Sequence, residues 1–431
     1  MTNQPSTVIE NVEQLKEYLQ VALQLEHATI PPYLTAAYTA KIEANKPSID
    51  IIRTVAKEEM LHFTIAANLL NAIGGSPDLL RPDFVPLFPT PLPTGQTGFE
   101  VNIECFSEHA IGIFLDIERP AKPPTDNENV EHIEKKVVIE GKHLDESLRG
   151  TDDPFIPATK VGDDKYELHY KVGVVRHHNL STESLQTRQA SIIPPLRVKS
   201  TDETANAKAI ELHFYSIGEF YKAIHLGFVE LYQKMGHDAL FCGDPKKQIG
   251  SKYFYSAGGE LNEITDLNSA LLGIDLIAGQ GEGSHDRIYD DENELSHYFR
   301  FDQITKKRYY RVPDDHGGEC DKPGDPRGGI FPVDMNAVFP IKMNAKIADY
   351  KGHPELEKQA LLFNGQYKRF LEKLNEAFNG KPELLTGVFA AEMFRIKTLM
   401  ERLTRNPIPG TNENAAPTFE MNLFEYPDAA S

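Results

Sequence analysis

Cysteine is scarce in this chain. Cys105, Cys242 and Cys320 are its only three, they lie far apart, and no Cys-x-x-Cys pair occurs. That argues against a disulfide framework or a zinc–thiolate site and for a reducing compartment. Basic residues are also in short supply, with 45 Lys and Arg against 64 Asp and Glu and a formal charge of −19. An acidic surface repels phosphate backbones and anionic lipid, so neither nucleic acid nor a membrane is an expected partner. No apolar run approaches the ~18–20 residues that span a bilayer. Met1 to Ser6 carry neither a basic nor an apolar signal region, so no secretory leader is expected, and the expected location is cytoplasmic. Walker loops and serine nucleophile elbows are missing too. The run Gly279 to Gly283 is not a Gly-x-Gly-x-x-Gly and follows no strand, which argues against a dinucleotide site. What the chain does have is the 40% apolar content of an ordinary folded protein, and glutamates placed on apolar helical faces.

Helical periodicity runs from about Val12 to Ile42, through Leu15, Leu19, Ala22, Leu23, Ile30 and Leu34. The Pro31-Pro32 pair predicts a kink or a local break. Asn45 to Ser48 reads as a turn, with Ser48 as the N-cap of a second helix from about Ile49 to Ile73. Residues 76–205 read as an insertion, partly β and partly loop; its prolines cluster and Lys165 to Val175 alternates like a strand. Helices are expected again at about 207–236, 261–278 and 291–304, then at 354–378 and 383–405. The expected units are a first helical pair (1–75), the insertion (76–205), a second pair (206–305), and a loop with C-terminal helices packed on the bundle (306–431). The fold class is therefore mainly α: a four-helix bundle with a mixed α/β insertion and additional C-terminal helices.

Carboxylate-bridged dimetal centres in such bundles take one Glu from each of two helices and a Glu-x-x-His from each of two others. The i, i+3 spacing puts carboxylate and imidazole on one helical face, so both reach one ion. Glu59-Met-Leu-His62 fits on the second helix, and Glu26 shares a stripe with Leu15, Leu19 and Ala22 on the first. Heights match less well, since Glu26 lies 19 residues before the expected turn and Glu59 11 after it, about 28 and 16 Å. In the second half, Glu219 sits among apolar neighbours and Glu294-Leu-Ser-His297 repeats the motif. About one Glu-x-x-His is expected by chance at this composition, whereas there are four. The Glu140/His143 pair falls in the insertion and reads as coincidence. The Glu282/His285 pair is a rival to Glu294/His297; the latter is favoured, with Glu282 kept as an additional or alternative ligand. Any single pair is better explained by a bundle with solvated glutamates and core histidines. The ordered series Glu, Glu-x-x-His, Glu, Glu-x-x-His is not.

At these residues the chain resembles a known family. Leu25 to Leu34 (LEHATIPPYL), Glu58 to His62 with Ala67 to Gly75, Gly279 to Gly283, Glu294 to Phe301, and Ala415 to Glu420 look like the ferritin-like, iminophenyl-pyruvate dimer synthase family, which includes the imine-coupling enzyme of the violacein pathway. The resemblance implies a ferritin-like four-helix bundle, bound iron and an oxidative role in secondary metabolism.

The expected metal ligands are thus Glu26, Glu59, His62, Glu219, Glu294 and His297, holding two iron ions or manganese in their place. A small amino-acid-derived or aromatic substrate and O2 or peroxide are the expected partners, with homo-oligomerisation an open option. Tyr33 and Tyr215, along with Tyr38 and Tyr221, are candidates to hold ligands from outside, core packing being their default role. The alternative function is a metal-binding or iron-handling protein without an organic substrate; the ~130-residue insertion suits a storage shell poorly. His169, His177 and His178 read as surface or packing residues. Asp314, Asp315, Glu319 and Asp321 lack EF-hand spacing and read as an acidic loop.

Overall fold

The computed structural model describes residues 9–92, 99–120, 130–145, 155–176, 212–254, 259–282, 287–290, 293–313 and 318–421. Helix α1 (Val12–Thr39) starts at Asn11, whose side chain accepts from the Gln14 N–H. It runs through Pro31 and Pro32 without a break. Each proline removes one backbone hydrogen bond, but α1 is buried along almost its whole length. Surrounding side chains therefore hold the turn that the backbone has lost.

The turn to α2 (Ile42–Ala72) comes at Ala40 and Lys41, earlier than expected. Asn45 then leaves helical geometry (φ −127°, ψ 20°) and kinks α2. Its Nδ2 donates to the carbonyls of Asp334 and Ala337 at 2.9 and 3.1 Å. Ser48 lies inside α2, and its buried hydroxyl has no hydrogen-bond partner, so it caps nothing. The local stop signal was real, but a distant loop supplies its partners. Counted from Lys41, Glu26 and Glu59 lie fifteen and eighteen residues away, so their heights differ by only ~5 Å.

Helix α3 (Glu108–Ile117) lies inside the expected insertion, capped by Ser107, whose Oγ accepts from Ala110 N. An antiparallel sheet follows, in the order β1 (Val130–Glu140), β3 (Lys165–Arg176), β2 (Ala158–Gly162), with β4 (Leu212–Phe214) pairing the far end of β3. Glu140 pairs with Lys165 and Ile133 with Val172, which sends Ile133, Val137 and Ile139 into the core. Then come α4 (Ile217–Met235), α5 (Leu267–Glu282) and α6 (His297–Lys306). After a long irregular stretch, α7 (Pro354–Phe378) leads to a helical run that passes through a π-turn at Val388–Glu392 into α8 (Met393–Thr404).

The bundle is the ring α1–α2–α5–α4: α1 packs on α2, α4 on α5, and the ring closes through α1–α4 and α2–α5. The sheet leans on α4, and the C-terminal helices cover α1 and α2. Helices α3 and α6 pack on each other against α1 and α2. One apolar core runs through bundle, sheet and C-terminal helices. The rings of Tyr33 (α1), Phe114 (α3) and Phe301 (α6) meet edge-on or tilted, with centroids 4.5 to 5.3 Å apart, and lock the two short helices onto the bundle.

Candidate metal centre

Between α1, α2, α3 and α6 three buried carboxylates and two buried imidazoles converge. Glu26, Glu59 and His62 form one group, and Glu59, Glu118 and His297 a second; within each, one donor atom per residue lies within 4.8 Å of the others. Glu59 belongs to both. All five residues are at most 3% exposed.

The arrangement of individual atoms is more specific than the cluster. Each carboxylate has one oxygen held by a hydroxyl from outside. Tyr221 donates to Glu26 Oε1 at 2.5 Å and Tyr33 to Glu118 Oε1 at 2.5 Å, while the Thr29 hydroxyl is shared between Glu26 O at 2.8 Å and Glu59 Oε2 at 3.2 Å. The other oxygens face the imidazole Nδ1 atoms: Glu26 Oε2 is 3.5 Å from His62, while Glu59 Oε1 and Glu118 Oε2 are 2.9 and 3.4 Å from His297. On the far side of each ring, His62 Nε2 meets Gln280 Oε1 at 2.9 Å and His297 Nε2 meets Glu58 Oε2 at 2.9 Å. Those acceptors favour a proton on Nε2, so that in the neutral ring the Nδ1 lone pair is the one that faces inward.

This donor set fits divalent metal. His297 Nδ1 is fully buried, with carboxylate oxygens of Glu59 and Glu118 2.9 and 3.4 Å away and no hydrogen bond of good geometry to either. Among the described residues no Lys or Arg forms an ion pair with Glu26, Glu59 or Glu118. Buried carboxylates without cations are costly by several kcal/mol each. In the metal-free centre protons make up the deficit. Burial, then the charges of Glu118 and Glu26, push Glu59 up to about 8. Burial lowers His297, but Glu118, Glu58 and Glu59 outweigh it and raise the ring well above an ordinary imidazole. His62 is raised for the same reason by Glu26 and Glu59.

Of the expected ligands, Glu26, Glu59, His62 and His297 are brought together and two are not. Glu219 is buried as its apolar neighbours suggested, but it sits in the first turn of α4, against the sheet. Its carboxylate accepts a short hydrogen bond from Gly173 N and pairs with Lys222 Nζ at 3.0 Å. Glu294 lies outside the helix. His297 is the first residue of α6, so three positions back the chain is a turn, in which Asp290 N donates to Glu294 O at 2.8 Å. The i, i+3 rule holds only inside a helix. Glu294 instead reaches Arg300 Nη2 at 2.8 Å, with its side chain 54% exposed.

The Glu282 side chain and His285 lie outside the described residues, as do His177, His178, Asp314 and Asp315. Gly281 is adjacent to the centre: a Cβ there would stand 3.7 Å from Glu118 Oε2. Tyr215 is buried beneath the Arg119 guanidinium, 5.1 Å from its ring centre, one residue from Glu118. Tyr38 lies under Arg53 at 5.6 Å instead. Glu140 and His143 stand apart, pairing with Lys142 at 2.6 Å and Tyr232 at 3.2 Å. His169 lies beside Glu167 at 2.8 Å, and Asp321 is taken up by Arg311.

Sequence reasoning missed Glu118, the C-cap of α3. A signal existed, because Ile111, Phe114 and Glu118 share one helical stripe, the same pattern that picked out Glu26. It was obscured by reading 76–205 as strand and loop.

A four-helix ring with two carboxylate–histidine groups sharing one glutamate defines a class of bundle protein, and the chain belongs to it: the ferritin-like family model matches residues 19–306. A curated relative, dichlorochromopyrrolate synthase of Lentzea aerocolonigenes, is 24% identical over 234 residues, covering 50% of this chain and 21% of the relative. The chain thus spans about a fifth of that protein's length. A solved ferritin-like protein from Caulobacter vibrioides aligns at 19% identity over 95% of this chain and 98% of its own, with a TM-score of 0.47.

Proposed function

We propose that the chain is a dimetal oxidoreductase holding two iron ions, or manganese in their place, between Glu26, Glu59, His62, Glu118 and His297. Its co-substrate is O2 or peroxide, and its substrate a small amino-acid-derived or aromatic molecule. The specific reaction expected from the sequence resemblance is oxidative coupling of imines in secondary metabolism. One observation carries this reading: three inward carboxylate oxygens and two inward Nδ1 atoms converge in a buried space where, among the described residues, no Lys or Arg pairs with the carboxylates. With Glu59 counted twice, each ion would receive one donor from each of three residues. Such ions take about four to six, so positions remain for exogenous ligands. Glu282 stays a candidate sixth donor.

When bound, the metal pair supplies redox capacity and Lewis acidity. The chain supplies the rest. Tyr33, Tyr221 and Thr29 hold one oxygen of each carboxylate, so the other stays inward. Tyr33, which bonds Glu118, packs on the buried rings of Phe114 and Phe301. A relative named as a synthase of a small organic molecule supports an organic substrate over iron handling.

The test is metal analysis followed by O2 uptake. Protein purified without chelator, or reconstituted, should carry about two ions per chain; less than about half an equivalent sinks the reading. O2 consumption that depends on an added α-imino acid supports the oxidase, whereas consumption driven by Fe2+ alone supports the iron-handling alternative.

A further inference from the structure

Resting on that dimetal reading, we infer that the two metal positions are inequivalent, and that the difference is set behind the imidazoles rather than among the donors. The inner donors correspond in kind, though Glu59 Oε1 stands 2.9 Å from His297 Nδ1 and 3.8 Å from His62 Nδ1. Each group has one Nδ1, one carboxylate of its own and a share of Glu59. Even the hydroxyls correspond, Tyr221 on Glu26 and Tyr33 on Glu118, both at 2.5 Å.

The outer partners do not correspond. His62 Nε2 donates to a neutral amide, Gln280 Oε1, whereas His297 Nε2 donates to a carboxylate, Glu58, each at 2.9 Å. Glu58 is 1% exposed, so its charge acts on the ring without solvent screening. Arg300 Nη1 bonds both Glu58 oxygens, at 3.0 and 2.9 Å, which keeps the carboxylate ionised and fixed. Arg300 is itself anchored by a short bond from Nε to Leu295 O and by Glu294.

A carboxylate on Nε2–H draws the proton outward and leaves more electron density on Nδ1 than an amide does. His297 is therefore the stronger donor. The Glu59/Glu118/His297 position fills first and holds metal more tightly; the Glu26/Glu59/His62 position fills second. Glu58 and Arg300 are positioning residues, acting only through His297, and Glu294 is their outer latch.

Anaerobic calorimetric titration of metal-free protein with Fe2+ tests this. The wild type should show two steps with Kd values about 10- to 100-fold apart. Glu118→Ala should delete the tighter step and Glu26→Ala the weaker. Glu58→Gln should weaken the tighter step by about tenfold or more and leave the other unchanged. Gln280→Glu, nearly equal in volume, should tighten the weaker step and bring the two together; a merely structural role for Gln280 predicts no such gain. Two equal wild-type steps, the reverse assignment in the alanine variants, or unchanged spacing in Gln280→Glu would each overturn the inference while leaving the dimetal reading intact. No binding in the wild type overturns the dimetal reading and this inference with it.

Discussion

Two buried polar regions lie along the same bundle. At the candidate metal centre, Glu26, Glu59 and Glu118 meet His62 and His297 beneath the hydroxyls of Tyr33 and Tyr221. At the junction of α4 with the sheet, Glu219, Glu230 and His225 are equally buried, and Tyr170 bonds His225 Nδ1 at 2.8 Å. Residue types match and burial matches. The difference is cationic. Glu219 pairs with Lys222 and Glu230 with Lys135, so the junction neutralises its carboxylates from within. The central carboxylates have only histidines as basic partners among the described residues, with no Lys or Arg paired to them. Burial of a glutamate is therefore a poor sign of a metal site, and burial without a lysine or arginine a much better one.

The largest effects should come from breaking the centre itself. Glu59 serves both groups. Glu59→Ala should therefore drop metal content from about two ions per chain to near zero, while Glu26→Ala or Glu118→Ala should leave about one. Glu230→Ala, an equally buried glutamate with a lysine partner, should retain the wild-type content. Elemental analysis after reconstitution reads all four, and two ions retained by Glu59→Ala would undo the shared-ligand arrangement.

Proton linkage separates the regions by sign. Burial pushes His225 down to about 3, so the folded ring stays neutral. Unfolded, it takes up a proton below ~6.5. The stability it contributes is complete above that pH and is lost as pH falls toward 3, at up to about 1.4 kcal/mol per pH unit. In the metal-free centre the carboxylates raise His62 and His297, which has the opposite sign: stability present at low pH and lost as pH rises through the folded values. Urea unfolding of metal-free protein between pH 6 and 4 should show a slope shallower by about one proton in His225→Gln than in the wild type. An unchanged slope would mean that His225 is charged in the folded state.

The same contrast explains what could be read from the chain. The mainly helical fold and the α1/α2 half of the centre were legible because Glu26, Glu59 and His62 lie within long helices, where residue spacing converts directly into a face. The other half is built at helix ends. Glu118 caps a helix hidden in a stretch read as strand and loop, and His297 opens α6, before which spacing no longer fixes direction. The periodicity that singled out Glu294 therefore pointed at a residue that anchors Arg300 instead. Glu219 was misread for a different reason. Its apolar setting was correct, but the strand that brings Gly173 to it comes from elsewhere in the sequence, and Lys222, one turn away, gave no sign of facing inward.

Replacing Glu219 gives the smallest and most discriminating effect. Glu219→Ala removes the acceptor of a buried Gly173 N–H and strands Lys222, which should cost about 1–3 kcal/mol in urea unfolding. Glu219→Gln keeps an acceptor for Gly173 and should cost less. Neither should change the metal content, because Glu219 belongs to neither metal group. Stability and metal content thus respond to different glutamates on neighbouring helices, although Glu219 and Glu26 are each only 3% exposed. Loss of a full metal equivalent from a folded Glu219→Ala protein would show that the lysine beside a buried carboxylate does not mark it as structural.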